Sequence, residues 1–135
     1  MISDFYKSVL PPIGLRALAV FKGGLKTPPT HTFYDNDDDF LEAADTYNSL
    51  GKNVYHGCAT YTTDANRKGE NVQAIKSLWV DLDVGQNKPY ATQKEAATAF
   101  EQFRTALGLP KSHVVSSGSG VHEYLPFSKP ILPDQ

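Results

Sequence analysis

Sulfur and long apolar runs are nearly missing from this sequence. The only cysteine is Cys58, which excludes an intramolecular disulfide and a cysteine-rich zinc site. A chain so poor in thiols suits a reducing compartment. No stretch approaches the ~20 apolar residues of a membrane span, and the N-terminus lacks a signal-peptide pattern. The longest early apolar run, LRALAVF, is short and carries Arg16. Histidine pairs are missing too. His31, His56 and His113 show no His-x-His or His-x3-His spacing, which disfavours a zinc hydrolase or a histidine-pair nicking enzyme. Cys58, near His56, reads as a buried thiol beside a strand histidine. The expectation is a cytoplasmic protein with no membrane partner.

What is present describes a globular domain. Apolar residues make up 40% and charged residues 21%, so disorder is excluded. At 135 residues the length prior is a single domain spanning 1–135. Net charge is −2, which at first argues against a polyanionic partner. Its distribution is more informative. Asp35, Asp37, Asp38, Asp39, Glu42 and Asp45 fall within eleven residues that hold no base. Outside them nine acids face thirteen Lys and Arg, a surplus of four positive charges. The block reads as a solvated helix start, because acids suit the positive end of the helix dipole.

No internal repeat or low-complexity tract interrupts the chain. LRALAVF, 15–21, reads as a first strand, and KGGLKTPPTH breaks it with Gly and Pro. A helix follows the acidic start, with Phe40, Ala43, Ala44 and Tyr47 at helical spacing and Gly51 beyond its end. NVYHGCATY reads as one strand, 62–74 as a polar loop, and 75–83 as the next strand. The spacing predicts a helix over 93–107, opened by the capping pair Thr92 and Glu95 and stopped by Gly108 and Pro110. Its apolar stripe is Ala96, Ala99, Phe100, Phe103 and Leu107. SHVVSS and VHEYLPF read as two strands joined by GSG, a hairpin signal. Together these predict a mixed α+β domain, a central, mostly antiparallel sheet with flanking helices.

Two stretches carry chemistry. In KSLWVDLDVG, Leu78, Trp79, Val80, Leu82 and Val84 have the composition of an interior strand, yet Asp81 and Asp83 interrupt it. Residues two apart on a strand share a face, so two carboxylates stand side by side in an apolar setting. Such a pair needs a counter-charge, and no Lys or Arg follows within four residues. Hard divalent cations such as Mg²⁺ or Mn²⁺ are the natural candidates, binding one or two carboxylates plus phosphate oxygens. The alternative is a solvated strand end. In SSGSGVHEY, Gly118 and Gly120 flank Ser119, so Ser116, Ser117 and these three residues can bring backbone N–H groups close to a ligand. No Gly-Lys-Ser/Thr follows, so this is no P-loop. His122 stands two residues beyond, placed to donate to a phosphate oxygen or to serve a structural hydrogen bond.

Taken together, SLWVDLDVG, a helix, then GLPKSHVVSSGSGVHEYLPF resembles the archaeo-eukaryotic primase superfamily, in its phage and plasmid primase-polymerase branch. GKNVYHGCATYTTDANRKGENVQAIK is similar to that branch's upstream half, so the resemblance runs from about residue 31 onward. Asp81 and Asp83 match the family's acid-x-acid motif, and His122 matches the histidine that ends its second motif. The resemblance implies a DNA-replication enzyme performing template-directed nucleotidyl transfer, with Mg²⁺ or Mn²⁺ on the two aspartates. His122 then contacts the phosphates of an incoming nucleoside triphosphate. Primed or single-stranded DNA is the implied template, and a C-terminal helicase or further replication domain a possible companion in a longer protein. If phage- or plasmid-encoded, it would act in the host cytoplasm. Arg67 and Lys68 are candidates for phosphate or template contact, with a solvated loop as the plainer reading. Gly120 stands where many members have serine, and Tyr124 is followed by Leu125 where the branch often has tryptophan. The family's third motif, an acid on a later strand, has no match, and Asp134 lies too close in a proline-rich setting. The expectation is an N-terminal module lacking that acid. Two other readings stand beside it. One is a non-catalytic nucleotide- or DNA-binding module. The other is a phosphatase with Asp81 as nucleophile and Asp83 as acid-base, although DLDVG lacks that family's nearby threonine.

Overall fold

Four consecutive apolar residues, Ala17 to Val20, lie buried in the first strand, which explains why this run does not alternate with polar residues. The computed structural model describes residues 2–23 and 26–134. Its elements in chain order are α1 (Ile2–Val9), β1 (Arg16–Phe21), β2 (Thr30–Tyr34), α2 (Asp37–Ser49), β3 (Asn53–His56), β4 (Thr60–Tyr61), β5 (Val72–Asp83), α3 (Gln93–Ala106), β6 (His113–Ser116) and β7 (Gly120–Ile131). This is the α+β class expected. Of the Gly/Pro break read in residues 22–31, residues 24 and 25 lie outside the described part.

The chain divides into two compact units, residues 1–76 with 128–135, and residues 77–127. In the first, β1 is the middle strand of a β2-β1-β3 sheet, antiparallel on both sides, with Leu18 opposite Thr32 and His56. Phe40 of α2 is fully buried and meets Tyr6 of α1 edge-on at 5.1 Å between ring centroids. Ala17, Ala59 and Tyr61 form a second apolar cluster, joined by Phe33, Val72 and Ile75. The acidic block does start a helix: Asn36 caps α2 by accepting the Asp39 N–H at 2.8 Å, and Asp37 to Asp39 fill its first turn. The block is not wholly solvated, because Asp37 accepts from the buried Arg16 guanidinium at 2.8 Å.

Several expected boundaries move. NVYHGCATY is two strands rather than one: β3 pairs with β1, and after 57–59 the chain changes sheets so that β4 pairs with β5. The polar loop ends at Asn71, three residues earlier than expected, and β5 begins at Val72. α1 and β2 were not expected. Ile2, Phe5, Tyr6 and Val9 do fall at helical spacing, so α1 was legible in the sequence, whereas Thr30–Tyr34 sits among breakers.

The four-stranded sheet has the order β4-β5-β7-β6, which makes β5 an inner strand as expected for the one carrying the acids. Within the second unit, β6 and β7 form the anticipated hairpin, with Val115 opposite His122 and Ser116 opposite Val121. α3 begins as its capping pair predicts. Thr92 Oγ1 accepts the Glu95 N–H at 3.2 Å, and a Glu95 carboxylate oxygen accepts the Ala91 N–H at 2.9 Å. Its apolar stripe is only half used: Ala96 and Phe100 are buried, but Phe103 and Leu107 are exposed.

Candidate functional site

The second half of β5 departs from its sequence reading. Leu78, Trp79 and Val80 retain 53%, 46% and 38% of their accessible surface, and Asp81 and Asp83 are exposed. Apolar composition suggested an interior strand. Yet being central in a sheet buries only backbone and edges, and faces become interior only where another layer covers them. The two carboxylates therefore stand in solvent, where the desolvation argument for an obligatory counter-ion loses most of its force.

Each carboxylate nevertheless has a nitrogen-bearing side chain beside it. His122 Nε2 of β7 lies 3.5 Å from Asp81 Oδ1, so the histidine and the first acid meet across the sheet. Lys88 Nζ lies 3.6 Å from Asp83 Oδ2. That corrects the expectation that no base serves the pair. Lys88 is five residues on, and a tight turn folds it back. Gly85 N–H donates to the Tyr90 carbonyl at 2.9 Å, and Lys88 N–H to the Gly85 carbonyl at 3.2 Å. Asn87 holds a left-handed φ of 62° within that turn. Gly85 with Asn87 was the sequence signal for it. Both partners of the Lys88–Asp83 pair are more than half exposed, so the pair contributes about 0–1 kcal/mol and is readily displaced.

The Gly/Ser turn lies beside these groups. Ser117 N–H donates to the Gly120 carbonyl at 3.1 Å, leaving Gly118 and Ser119 as a two-residue hairpin loop. Gly118 has a φ of 89°, which the first central position of a II′ turn requires. Val84 N–H reaches the Ser119 carbonyl at 3.4 Å, tying the turn to the end of β5. A Cβ on Gly120 would stand 2.6 Å from the Leu82 carbonyl oxygen. The close approach of β7 to the acid-bearing strand thus disfavours any side chain, serine included, at this position.

Sequence reasoning missed Gln93. From the first turn of α3 its amide donates to Ser116 Oγ at 2.9 Å and to the Gly120 carbonyl at 3.3 Å, and its Oε1 accepts from Ser116 Oγ at 3.1 Å. It clamps both ends of the turn. Only its place directly after the Thr92 cap marked it, and that is a weak signal. Below the turn, Glu123 is buried and accepts from Ser112 Oγ at 2.5 Å. Burial pushes its carboxyl pKa up, and the Ser112 hydrogen bond partly opposes this.

Arg67 and Lys68 belong to the first unit, in a loop organised by Asn71, whose side chain holds Thr63 and the Asn66 carbonyl. Arg67 Nε donates to His31 Nε2 at 3.3 Å, and Lys68 N–H to Asn66 Oδ1 at 2.9 Å. His56 packs edge-on against Tyr6 at 5.2 Å, and Cys58 is half-buried rather than fully buried, a setting that still pushes its thiol up to about 11.

Asp81, Asp83, His122 and residues 116–120 therefore all lie in the second unit, on or beside two adjacent strands. Among the described residues no three His, Cys, Asp or Glu side chains converge. Two exposed carboxylates suit a hard cation that completes its shell with water and phosphate oxygens, as Mg²⁺ does. Comparison of the chain with protein-family models, with curated proteins and with solved structures returns no match.

Proposed function

We propose that the chain is a primase-polymerase-type nucleotidyltransferase module that binds a nucleoside triphosphate with a divalent cation. The observation that carries this reading is the meeting of Asp81 and His122 at 3.5 Å, beside the turn Ser117–Gly120 and two residues from Asp83 on the same strand face. The acid pair is distant in sequence from the histidine and the Gly/Ser turn, and the adjacency of β5 and β7 brings them together. Asp81 and Asp83 would hold Mg²⁺ or Mn²⁺. When bound, the ion supplies Lewis-acid stabilisation of the phosphates and lowers the pKa of an attacking 3′-hydroxyl. His122 and the backbone amides of the turn would bind the phosphate oxygens, and Gln93 would keep the turn in place for them. Lys88 would leave Asp83 for a phosphate as the cation enters.

Calorimetric titration with ATP and Mg²⁺, together with extension of a primed DNA template in Mg²⁺ and in Mn²⁺, tests the reading. Cation-dependent nucleotide binding is expected, abolished by Asp81→Asn with Asp83→Asn while the melting temperature stays unchanged. Equal affinity in that double variant would overturn the site. That no third acid joins the aspartate pair among the described residues favours a second reading, in which nucleotide is bound without turnover. Binding with no extension in either metal supports that one.

A further inference from the structure

We propose that Trp79 is the platform on which the nucleobase of the bound triphosphate stacks, an inference that rests on the nucleotide-binding reading above. Trp79 precedes Asp81 by two residues on β5, so strand alternation puts its ring on the face that carries Asp81 and Asp83. Positions two apart are separated by about 6.6 Å, and the three side chains span about 13 Å along one line. Their order is aromatic, acid, acid. The side-chain nitrogens gather at the acidic end, where His122 meets Asp81 and Lys88 meets Asp83. A nucleoside triphosphate has the matching order: a flat apolar base, a sugar, then phosphates with their cation. With the phosphates at the turn and the cation on the acids, the base is left at the Trp79 end of the row.

Nearly half of the Trp79 surface is accessible, enough to receive a ring. An indole exposed to that degree gains from burial under a planar partner, and base–aromatic stacking tolerates every base because each has a π-face. Trp79 therefore contributes affinity without base selectivity, which suits a template-directed enzyme.

Trp79 is the only tryptophan of the chain, so intrinsic fluorescence reports on this position alone. The experiment titrates the full chain with ATP, and separately with inorganic tripolyphosphate, both with Mg²⁺, and follows fluorescence and heat in parallel. ATP is expected to quench Trp79, whereas tripolyphosphate binds without quenching. Trp79→Ala should weaken ATP binding about 5- to 150-fold, the loss of one stack, and leave tripolyphosphate affinity unchanged. Trp79→Phe, which keeps a ring, should retain most of the ATP affinity. ATP binding by calorimetry with unchanged fluorescence overturns the platform and leaves the triphosphate site standing. An equal loss of ATP and tripolyphosphate affinity in Trp79→Ala overturns it as well, by making Trp79 a support of the fold. Quenching by a short oligothymidylate but not by ATP also overturns it, because the platform then serves the template strand. If neither ATP nor tripolyphosphate binds, the nucleotide-binding reading falls and the platform falls with it.

Discussion

Arg16 stands at the edge of the buried run Ala17–Val20, with only 6% of its side chain accessible. Its guanidinium is satisfied on three sides, by Asp37 at 2.8 Å, the Gly14 carbonyl at 2.7 Å and the Pro11 carbonyl at 3.3 Å. Asp37 alone supplies charge. Asp37→Ala is therefore expected to cost about 1.5–3 kcal/mol, the range for a charged hydrogen bond, measured by urea denaturation. Asp38→Ala, one residue on and exposed, should stay within about 0.5 kcal/mol. Similar costs for the two would show that Arg16 does not depend on Asp37. Glu123 offers a contrasting case, a buried carboxyl whose pKa is raised by desolvation. Folding then binds its proton more tightly than the unfolded chain does. The sign follows: this residue favours the fold most below its unfolded pKa, and the benefit fades as pH rises through the folded one. Glu123→Gln can still accept from Ser112, so it should be at least as stable as the parent at pH 7 and gain less on acidification. A Gln variant less stable than the parent at neutral pH would assign Glu123 a need for its charge.

At the scale of elements, α3 and the β6–β7 hairpin act together through Gln93. Thr92 fixes where the helix starts, and the start fixes where Gln93 points. Gln93→Ala should leave the melting temperature within a few degrees, since the residue is not buried, yet weaken triphosphate binding by loosening residues 116–120. Tight binding by a Gln93→Ala protein with an intact fold would remove the clamp from the site. Gly120→Ala acts by a different route. Its Cβ would press on the Leu82 backbone oxygen, which has no rotamer to yield, so β7 must move away from β5. The expected loss is about 1–3 kcal/mol by denaturation, the usual cost of overpacking. Gly118→Ala meets no atom within 4 Å, and its cost comes from the positive φ alone.

Over the whole molecule, stability at high pH depends on the first unit. Burial raises the pKa of Cys58 to about 11 from an ordinary 9.0, and raises those of Tyr6 and Tyr61 as well. In each case the unfolded chain loses its proton first. Stability is fully present below the unfolded values and falls as pH climbs from about 9 through 11. Denaturation midpoints should drop across that window, and Cys58→Ala should flatten the early part of the drop. The same shift keeps the thiol protonated at neutral pH, so Cys58 should react with alkylating reagents far more slowly than a free thiol. Fast labelling of the folded protein at pH 8 would contradict the raised pKa of this half-buried thiol.

Local signals decided where most elements lie. Thr92 marks one helix start through a short-range hydrogen bond, the acidic first turn of α2 marks another, and the GSG turn specifies a hairpin through backbone freedom that glycine alone supplies. These interactions close within a few residues, and a linear reading detects them. The side-by-side aspartates were legible for the same reason, since strand alternation is local geometry. Tertiary structure decided the rest. Whether Leu78, Trp79 and Val80 are covered depends on which layers reach them, and the sheet leaves them open. Lys88 reaches Asp83 through a turn, Gln93 reaches Ser116 across 23 residues, and His122 reaches Asp81 from a different strand. Composition records how apolar a segment is, but packing determines what faces it, and the charges around a site belong to packing.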